Sequence, residues 1–464
     1  MRLDEYFHKG GGMADRFKRV DRDTQYLFPP SVQDWLPKNH LARFVVELVD
    51  EINLEKLNAS YRACGSLAFH PSMMVSLLFY GYATGVFSSR KLERATRDSV
   101  AFRYIAANTY PDHDTIASFR RRFLKELKPI FAQILEMAHA MEVLKLGTVS
   151  LDGTKVKANA NKHKALSYSY AERLETQLKE EVAKLMELAE SADQNEIPDG
   201  MDIPSELERR EIRLVAIAKA KEVIEERAKK RYEREHEIYE NKCAKRQAKA
   251  DETGKEPCGP APKPPESGPK KRDQVNLTDE DSRIMPGSGK SFTQAYNAQA
   301  AVDTKTMLVV ANTVSQNAND KKELEPILEC LASLPNSLGN TQNMLADAGY
   351  YSASNVAACE QKKITPYIAS GREGHNKTLE ERFREPLPVA DTANPVEKMK
   401  HRLKTSEGKM LYAKRKSTVE PVFGIIKQVM GFRQFLLRGL TAVTAEWNLV
   451  CMAWNIRRLH ALKV

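Results

Sequence analysis

Residues 146–156 read LGTVSLDGTKV, and this stretch decides the fold of the chain. Its β-branched and apolar residues predict a buried strand, and the pair Asp152-Gly153 predicts that a turn follows. A carboxylate at the end of an apolar strand costs free energy to desolvate unless a positive charge meets it. The pattern therefore predicts either an acid that waits for a cation or an ordinary turn residue.

Two more acids stand in comparable positions. Asp347 follows the apolar run of MLADAGY (344–350), and Glu420 lies in STVEPVF (417–423), where an amphipathic helix is predicted. Taken singly, Asp347 could be a turn residue and Glu420 a favourable charge near a helix N-terminus. Two strand-end aspartates and a helical glutamate that converge in a basic protein are what a pair of Mg²⁺ ions needs for phosphoryl chemistry. Together the three acids predict a site that cuts and joins nucleic acid.

The elements around these acids predict a mixed α/β domain. A hairpin, a helix, two strands and a final helix follow the first strand. The segments are SFTQAYNAQAAVD and MLVVANTVS for the hairpin, NDKKELEPILECLASL for the helix, and TQNMLADAGY and KKITPYIAS for the strands. This order suits a ribonuclease H-like catalytic domain, which we place at residues 143–464.

Residues 1–142 predict an all-helical, DNA-binding N-terminal domain. Within it, NTYPDHDTIASFRRRFLKEL (108–127) predicts a turn and then a helix capped by Asp114 or Thr115. The polar residues left to face outward in part are Ser118, Arg120, Arg121 and Arg122. The pattern is similar to a helix-turn-helix reader of the major groove. An ordinary solvated basic helix explains it equally well.

Residues 163–275 interrupt the predicted catalytic domain. Two segments, 169–192 and 205–240, are dense in Glu, Lys, Arg and Ala and predict a long helical hairpin or coiled-coil arm. The Pro-, Gly- and Lys-rich stretch that follows, at 250–274, predicts a disordered linker. Such an insertion costs little closure entropy, so the fold around it need not change.

Composition narrows the class of partner. The 464 residues carry a net charge of +10, which favours nucleic acid or an anionic membrane. No apolar run approaches the roughly 18 residues of a membrane span, and the N-terminus lacks the apolar region of a signal peptide. Six scattered cysteines without a Cys-x-x-Cys pair predict neither zinc nor disulfides. These features predict a cytoplasmic protein without a membrane partner.

Four segments together resemble the DDE transposases of bacterial insertion sequences, in the branch with an N-terminal helical domain and a long helical insertion after the first catalytic strand. They are YPDHDTIASFRRRF (110–123), SLDGTK (150–155), ADAGYYS (346–352) and RKSTVEPVFGIIK (415–427). The resemblance extends from about Tyr26 to Trp454. One acidic motif would be a weak signal, whereas all four in this order are specific.

The resemblance implies that Asp152, Asp347 and Glu420 are the catalytic, metal-binding triad. It implies two Mg²⁺ ions, for which Mn²⁺ can substitute. One ion would activate the attacking water or 3′-OH, and the other would stabilise the leaving oxygen. No covalent link between protein and DNA is implied.

Related transposases carry the signature Y-x2-R-x3-E-x6-K around the glutamate. Tyr412, Arg415, Glu420 and Lys427 nearly satisfy it, but Arg415 lies one residue too far from Glu420 and Lys416 occupies the matching position. Which of the two basic residues makes the expected contact stays open. The candidate DNA contacts are Tyr412, Arg415, Lys416 and Lys427, with Lys155 as a further candidate that could equally be a strand-edge charge.

The hairpin contributes weaker candidates. Tyr296, Asn297 and Gln299 lie in it, and strand alternation would turn one face toward the site. Asp303 ends that strand and is typical of an ordinary turn acid.

The resemblance implies a transposase that binds terminal inverted repeats, cleaves DNA at the ends and joins the 3′-OH to target DNA. Its partners would be double-stranded DNA and at least one more copy of the chain, in a nucleoid-associated complex. Two alternatives stay open. One is a ribonuclease H-like nuclease without strand transfer, and the other is a transposase-derived DNA-binding protein without catalysis.

Overall fold

The computed structural model describes most of the chain. The described residues are 31–61, 68–123, 126–191, 202–255, 258–287, 291–371, 386, 388–389 and 393–463. The first 30 residues of the predicted N-terminal domain lie outside this set, as does Cys64. No helix in the described part is long and apolar enough to cross a membrane.

The N-terminal region is helical, as predicted. Its helices are α1 (Leu41–Asp50), α2 (Glu55–Ala59), α3 (Pro71–Thr84), α4 (Ser89–Asp98), α5 (Val100–Ile105), α6 (His113–Arg122) and α7 (Leu127–Ala140). The predicted cap of α6 was wrong, because Asp112 rather than Asp114 or Thr115 takes that position. The Asp112 carboxylate accepts a hydrogen bond from the Thr115 backbone N–H over 2.6 Å. Asp114 lies inside the first turn, where its side chain cannot reach that amide.

The catalytic region contains a mixed sheet. Its strands are β1 (Thr148–Lys157), β4 (Arg283–Pro286), β5 (Phe292–Asp303), β6 (Val309–Ser315), β7 (Asn343–Ala346) and β8 (Thr365–Ile368). The order across the sheet is β4-β5-β1-β7-β8. Strand β6 pairs with the same edge of β5 as β4 does, but further along that strand. The predicted hairpin is β5 and β6. Strand β1 lies at the centre, antiparallel to β5 and parallel to β7.

Helices cover this sheet and join it to the N-terminal region. They are α10 (Leu324–Ala332), α11 (Ala353–Gln361), α12 (Pro395–Arg402), α13 (Ser406–Gly424) and α14 (Leu440–Lys463). Helix α14 is anchored to β5 and β6, since Trp447 Nε1 donates to the Gln299 carbonyl over 3.0 Å and Asn455 exchanges hydrogen bonds with the Val309 backbone. It also packs on α3 and α7, so one continuous hydrophobic core runs through both regions.

The insertion forms a separate helical arm. It consists of α8 (Tyr168–Ser191) and α9 (Ile203–Thr253), and a two-stranded sheet of β2 (Ala165–Ser167) and β3 (Gln274–Asn276) closes its base. The helices run antiparallel, because Glu175 pairs with Lys221 and Glu181 with Arg210. A small hydrophobic cluster of its own holds the arm together. The predicted helical hairpin is therefore present, with an α9 of 51 residues that is longer than predicted.

The prediction of a disordered linker was wrong for its described part. The segment after α9 runs back along that helix, where Arg246 donates to the Gly259 carbonyl over 2.9 Å and Arg231 to the Gly268 carbonyl over 3.1 Å. A Pro-rich chain has no internal backbone hydrogen bonds, so its carbonyls are free to accept from the arginines of α9.

Candidate active site

Strand pairing brings two of the predicted acids together. Leu151 of β1 pairs in parallel register with Ala346 of β7. Asp152 and Asp347 are the next residues of these two neighbouring strands, so they lie side by side. The prediction that β1 ends at Asp152 was wrong, since the strand continues to Lys157. The reason is β5, which pairs with β1 along this whole stretch and replaces the predicted turn with a ladder. Asp152 therefore projects from the middle of a central strand.

The environment of Asp152 disfavours its negative charge. The pKa of its carboxyl is raised from 3.8 to about 6, mainly by burial and in part by the neighbouring carboxylates of Asp347 and Asp320. The Gly153 backbone N–H, which donates over 2.8 Å, and Arg415 oppose this shift. Asp152 is thus a partly desolvated acid beside two other acids, and the positive charge around it does not balance the negative charge.

The third predicted acid is linked to the first through an arginine. Arg415 and Glu420 both lie on α13, which packs against β1. Arg415 Nη1 lies 3.4 Å from Asp152 Oδ2, and its Nη2 lies 3.3 Å from Glu420 Oε1. The Arg415 side chain is 12% exposed, whereas Lys416 points to solvent. Of the two basic residues, Arg415 is therefore the one that contacts the acids.

The other two signature residues also lie close to β1. Lys427 lies in the π-helical turn Ile425–Val429 after α13, and its ammonium donates to Thr154 Oγ1 and, over 3.3 Å, to the Lys155 carbonyl. Burial lowers the pKa of Lys427. Burial also raises the pKa of Tyr412, and the adjacent Arg415 opposes that shift. The face of α13 and its π-turn thus places cations along β1, starting at Asp152.

A fourth acid, which the sequence reasoning missed, lies beside the triad. Asp320 Oδ1 accepts hydrogen bonds from Asn297 Nδ2 over 2.6 Å and Gln299 Nε2 over 3.0 Å. Lys155 Nζ lies 3.3 Å from the same oxygen. Lys155 is therefore paired with an acid of the protein and is not an unpaired charge at a strand edge. The available signal was Asn297 and Gln299, two polar residues on one face of an otherwise apolar strand.

The remaining hairpin candidates lie elsewhere. Tyr296 points to the opposite face of β5, where its hydroxyl donates to Asp279 over 2.8 Å. Asp303 is a turn acid, as its sequence context indicated, because its carboxylate accepts from the backbone N–H groups of Lys305 and Thr306. Neither side chain belongs to the acidic site.

Helix α6 presents only some of its candidate DNA contacts to solvent. Ser118 and Arg121 are exposed and form a hydrogen bond with each other over 3.3 Å. The expectation that Arg120 faces outward was wrong, since its guanidinium donates to Tyr82 Oη over 3.2 Å and to the Phe87 carbonyl over 3.0 Å.

Arg122 is exposed but held by the protein. Its guanidinium donates to the Ser60 carbonyl and lies over the Tyr61 ring, 4.7 Å from the centroid. The three consecutive arginines point in different directions around the helix, and among the described residues only Arg121 of these three makes no hydrogen bond or cation–π contact outside α6.

The acids provide only oxygen donors, the type of ligand that Mg²⁺ prefers. Within the described residues, no group of three or more His, Cys, Asp and Glu side chains lies close enough together to hold a metal ion. Arg415 contacts two of the triad acids and partly compensates their charge. The excess of partly buried carboxylate around Asp152 fits a divalent cation, and Arg415 supplies part of the opposing charge.

The fold and this arrangement of acids define a ribonuclease H-like domain of the DDE type. Residues 261–456 match the family model of the transposase DDE domain, and residues 30–122 match that of a transposase domain (DUF772). No curated protein and no solved structure matches the chain. The protein belongs to the insertion-sequence DDE transposases, a family of DNA-processing enzymes. The DDE match includes Asp347 and Glu420. Asp152 precedes the arm and lies outside the matched residues.

Proposed function

We propose that this protein binds the terminal inverted repeats of an insertion sequence, cleaves DNA at the ends and joins the resulting 3′-OH to target DNA. The observation that carries the proposal is the convergence of Asp152, Asp347 and Glu420. The first two come directly after the paired residues Leu151 and Ala346 of two parallel strands, and Arg415 connects the third to the first.

In this proposal Asp152, Asp347 and Glu420 are the metal ligands. When bound, two Mg²⁺ or Mn²⁺ ions supply charge neutralisation at the attacking and leaving oxygens of an in-line displacement. Burial of Asp152 keeps water away from its carboxylate and strengthens its interaction with any cation. Arg415 favours the ionised form of Asp152 and also contacts Glu420, so both acids are oriented before the cations arrive.

The basic residues have a separate role in the proposal. An ammonium group has three N–H donors. Lys427 donates one hydrogen bond to Thr154 Oγ1 and one to the Lys155 carbonyl. A further donor is left for a phosphate oxygen beside Asp152. Arg415 and Tyr412 border the same position and would restrict how the phosphodiester lies there. These contacts position the DNA backbone without reading its sequence.

End recognition is assigned to the N-terminal helices, with Ser118 and Arg121 as the α6 residues accessible to DNA. Arg122 contributes if it leaves Ser60, and Lys416 would contact backbone from the exposed side of α13. Two ends must be joined, so we propose at least a dimer on DNA. Such a complex would act in the bacterial cytoplasm, on the nucleoid.

The first alternative is a nuclease of this fold that never transfers strands. The match of residues 30–122 to a transposase domain favours the transposase over this reading. The second alternative is a DNA-binding protein that has lost catalysis. The presence of all three acids argues against it, because a protein free of catalytic constraint has no reason to keep carboxylates of like charge near one another.

A two-stage assay on DNA carrying both ends of the element tests the proposal. Intact ends incubated with Mg²⁺ report cleavage, and pre-cut ends with a free 3′-OH report joining to a target plasmid. A transposase gives both products. Cleavage without joining supports the nuclease, whereas binding of the ends without any product supports the non-catalytic reading. The full chain is required, because α14 and the N-terminal helices share one core.

A further inference from the structure

A polar cleft lies at the end of β1, away from the acids. It has a volume of about 470 Å³ and is bordered by the chain after β1, by β5 and by the loop before α14. Its cationic lining residues are Lys157, Lys162, Lys164 and Arg438, and its amide side chains are Asn159, Asn161, Gln294 and Gln434. No Asp or Glu is among the residues that line it. The cleft is thus suited to an anion.

The cations of this cleft have exposed side chains. Lys157, Lys162, Lys164 and Arg438 are exposed, and among the described residues none of them forms a salt bridge. Four exposed positive charges around one concave surface repel one another, which raises the free energy of the unliganded protein. A polyanion that enters the cleft removes this repulsion and releases its own counterions.

Two acids that follow the lining residue Thr278 in the chain, Asp279 and Asp281, are engaged with other groups. Asp279 Oδ1 accepts from Tyr296 Oη and from the Gly439 backbone N–H. Asp281 accepts from the Leu440 backbone N–H over 3.0 Å and from Gln316 Nε2 over 3.0 Å. Both carboxylates are thus committed to the base of the loop before α14 and do not line the cleft.

Hydrogen bonds hold the walls of the cleft in place. Gln434 Nε2 donates to the Ala158 carbonyl over 3.1 Å, and Arg438 Nε donates to the Asn159 carbonyl over 3.1 Å. In return Asn159 Nδ2 donates to the Leu436 carbonyl over 2.8 Å. A cleft that is already formed needs little ordering when a ligand binds, so less of the interaction free energy is lost.

The cleft continues a line of positive charge that begins at the acids. Arg415 contacts Asp152, Lys427 contacts Thr154 two residues further along β1, and Lys157 follows at the end of the strand. Five residues of strand span about 17 Å at about 3.3 Å each. The same distance along the axis of a DNA duplex corresponds to about five base pairs, because each strand carries one phosphate per roughly 3.4 Å of axis.

We propose that this cleft binds the DNA backbone about five nucleotides from the bond held at Asp152. The duplex would lie along β1, with backbone phosphates at Lys427, at Lys157 and then at Lys162 and Lys164. The register, which is the number of nucleotides between the cut and the cleft, rests on the proposed function. The affinity of the cleft for DNA backbone does not. The cleft therefore has its own test, which needs no cleavage.

The test compares two double variants of the full chain. Lys162→Gln with Lys164→Gln removes two cleft charges. Lys362→Gln with Lys363→Gln removes two exposed charges before β8, at the end of the sheet where β1 begins. Binding to a duplex carrying an element end is measured without metal at several salt concentrations.

For the cleft variant, the slope of log affinity against log salt should become shallower by about 2, close to one unit per lost phosphate contact. The control variant should keep the wild-type slope. Equal slopes for the cleft variant and the wild type would overturn the proposal.

Neutral methylphosphonates placed singly along the end DNA then test the register. Wild-type protein should lose affinity when the phosphate about five nucleotides from the cut is neutral, and the cleft variant should not. Equal losses in both proteins at every position overturn the assigned register. Wild-type protein that never cleaves with Mg²⁺ contradicts the proposed function alone, because the change in salt slope would persist.

Discussion

Arg415 reaches Asp152 across 3.4 Å from a helix that lies 263 residues further along the chain. The same guanidinium contacts Glu420, so one cation joins two carboxylates from different elements. The contact partly compensates the charge of the two carboxylates, and Arg415 rather than Lys416 makes it.

Replacing Arg415 by Gln should therefore reduce cleavage of end DNA by about 100-fold, the usual effect of removing one preorganised charged donor. Lysine at this position should restore only part of the activity, because it cannot contact both carboxylates through a planar fork. Lys416→Gln is the matched control and should stay within a few-fold of wild type. Single-turnover cleavage rates are the measurement, and a larger loss in the Lys416 variant would contradict the assignment.

Asp152→Asn should abolish cleavage and yet stabilise the protein without metal. The pKa of Asp152 is about 6 in the fold against 3.8 in the unfolded chain, so the folded state binds more protons between these values. Stability is thus lost as pH rises through this window, and ionised Asp152 costs up to about 3 kcal/mol above pH 6.

Thermal unfolding in EDTA at several pH values checks this prediction. The variant should melt higher than the wild type above pH 6, and the difference should disappear below about pH 3.8. An increase in melting temperature that is equal at all pH values would point to a cause other than the carboxylate.

Gly153→Ala should disrupt the site, because a Cβ at this position would collide with the Gln299 side chain and lie 2.9 Å from Asp320 Oδ1. Overpacking of this kind costs about 1–3 kcal/mol. Gly147→Ala, just before the same strand, has no atom within 4 Å of its added Cβ and serves as the control. The free energy of unfolding, measured in urea, and the rate of end cleavage should both be lower in the first variant and unchanged in the second.

Two neighbouring arginines of α6 should give opposite results. Arg120→Ala should lower stability by about 1–3 kcal/mol, since it leaves Tyr82 and the Phe87 carbonyl without their donor. Arg121→Ala lies on the surface and should change stability by less than about 0.5 kcal/mol. If α6 reads bases, the Arg121 variant loses about 1–3 kcal/mol of discrimination between end and random DNA.

Deletion of the arm should leave the core folded. Residues 169–272 can be replaced by Asn-Gly, because β2 and β3 already pair at the base and this dipeptide suits a two-residue hairpin turn. The arm has its own hydrophobic cluster, so little of the main core is exposed by its removal. Light scattering of the full and shortened proteins on end DNA measures the assembly. Equal masses and equal cleavage would exclude a role of the arm in pairing protomers.

Local patterns in the sequence were enough to predict most strands of the sheet, several helices and the three candidate acids. Apolar and β-branched runs predicted the strands, helical periodicity predicted α1, α3 and the arm, and the order of elements predicted the ribonuclease H-like sheet. Such signals depend on residues a few positions apart, which is why they can be read from the chain alone. The same locality explains the error at Asp152, where a turn was predicted because the partner strand β5 begins 140 residues later.

Contacts between distant segments were decided only by the tertiary structure. The choice of Arg415 over Lys416, the inward turn of Arg120 and the presence of Asp320 beside the triad all depend on what lies opposite each side chain. The same is true of the path of the Pro-rich segment and of the basic cleft at the end of β1. The sequence by itself determined which residues could carry charge and in which element they lie. Only packing decided which charges meet, because an electrostatic interaction depends on distance and burial, and neither is encoded in local spacing.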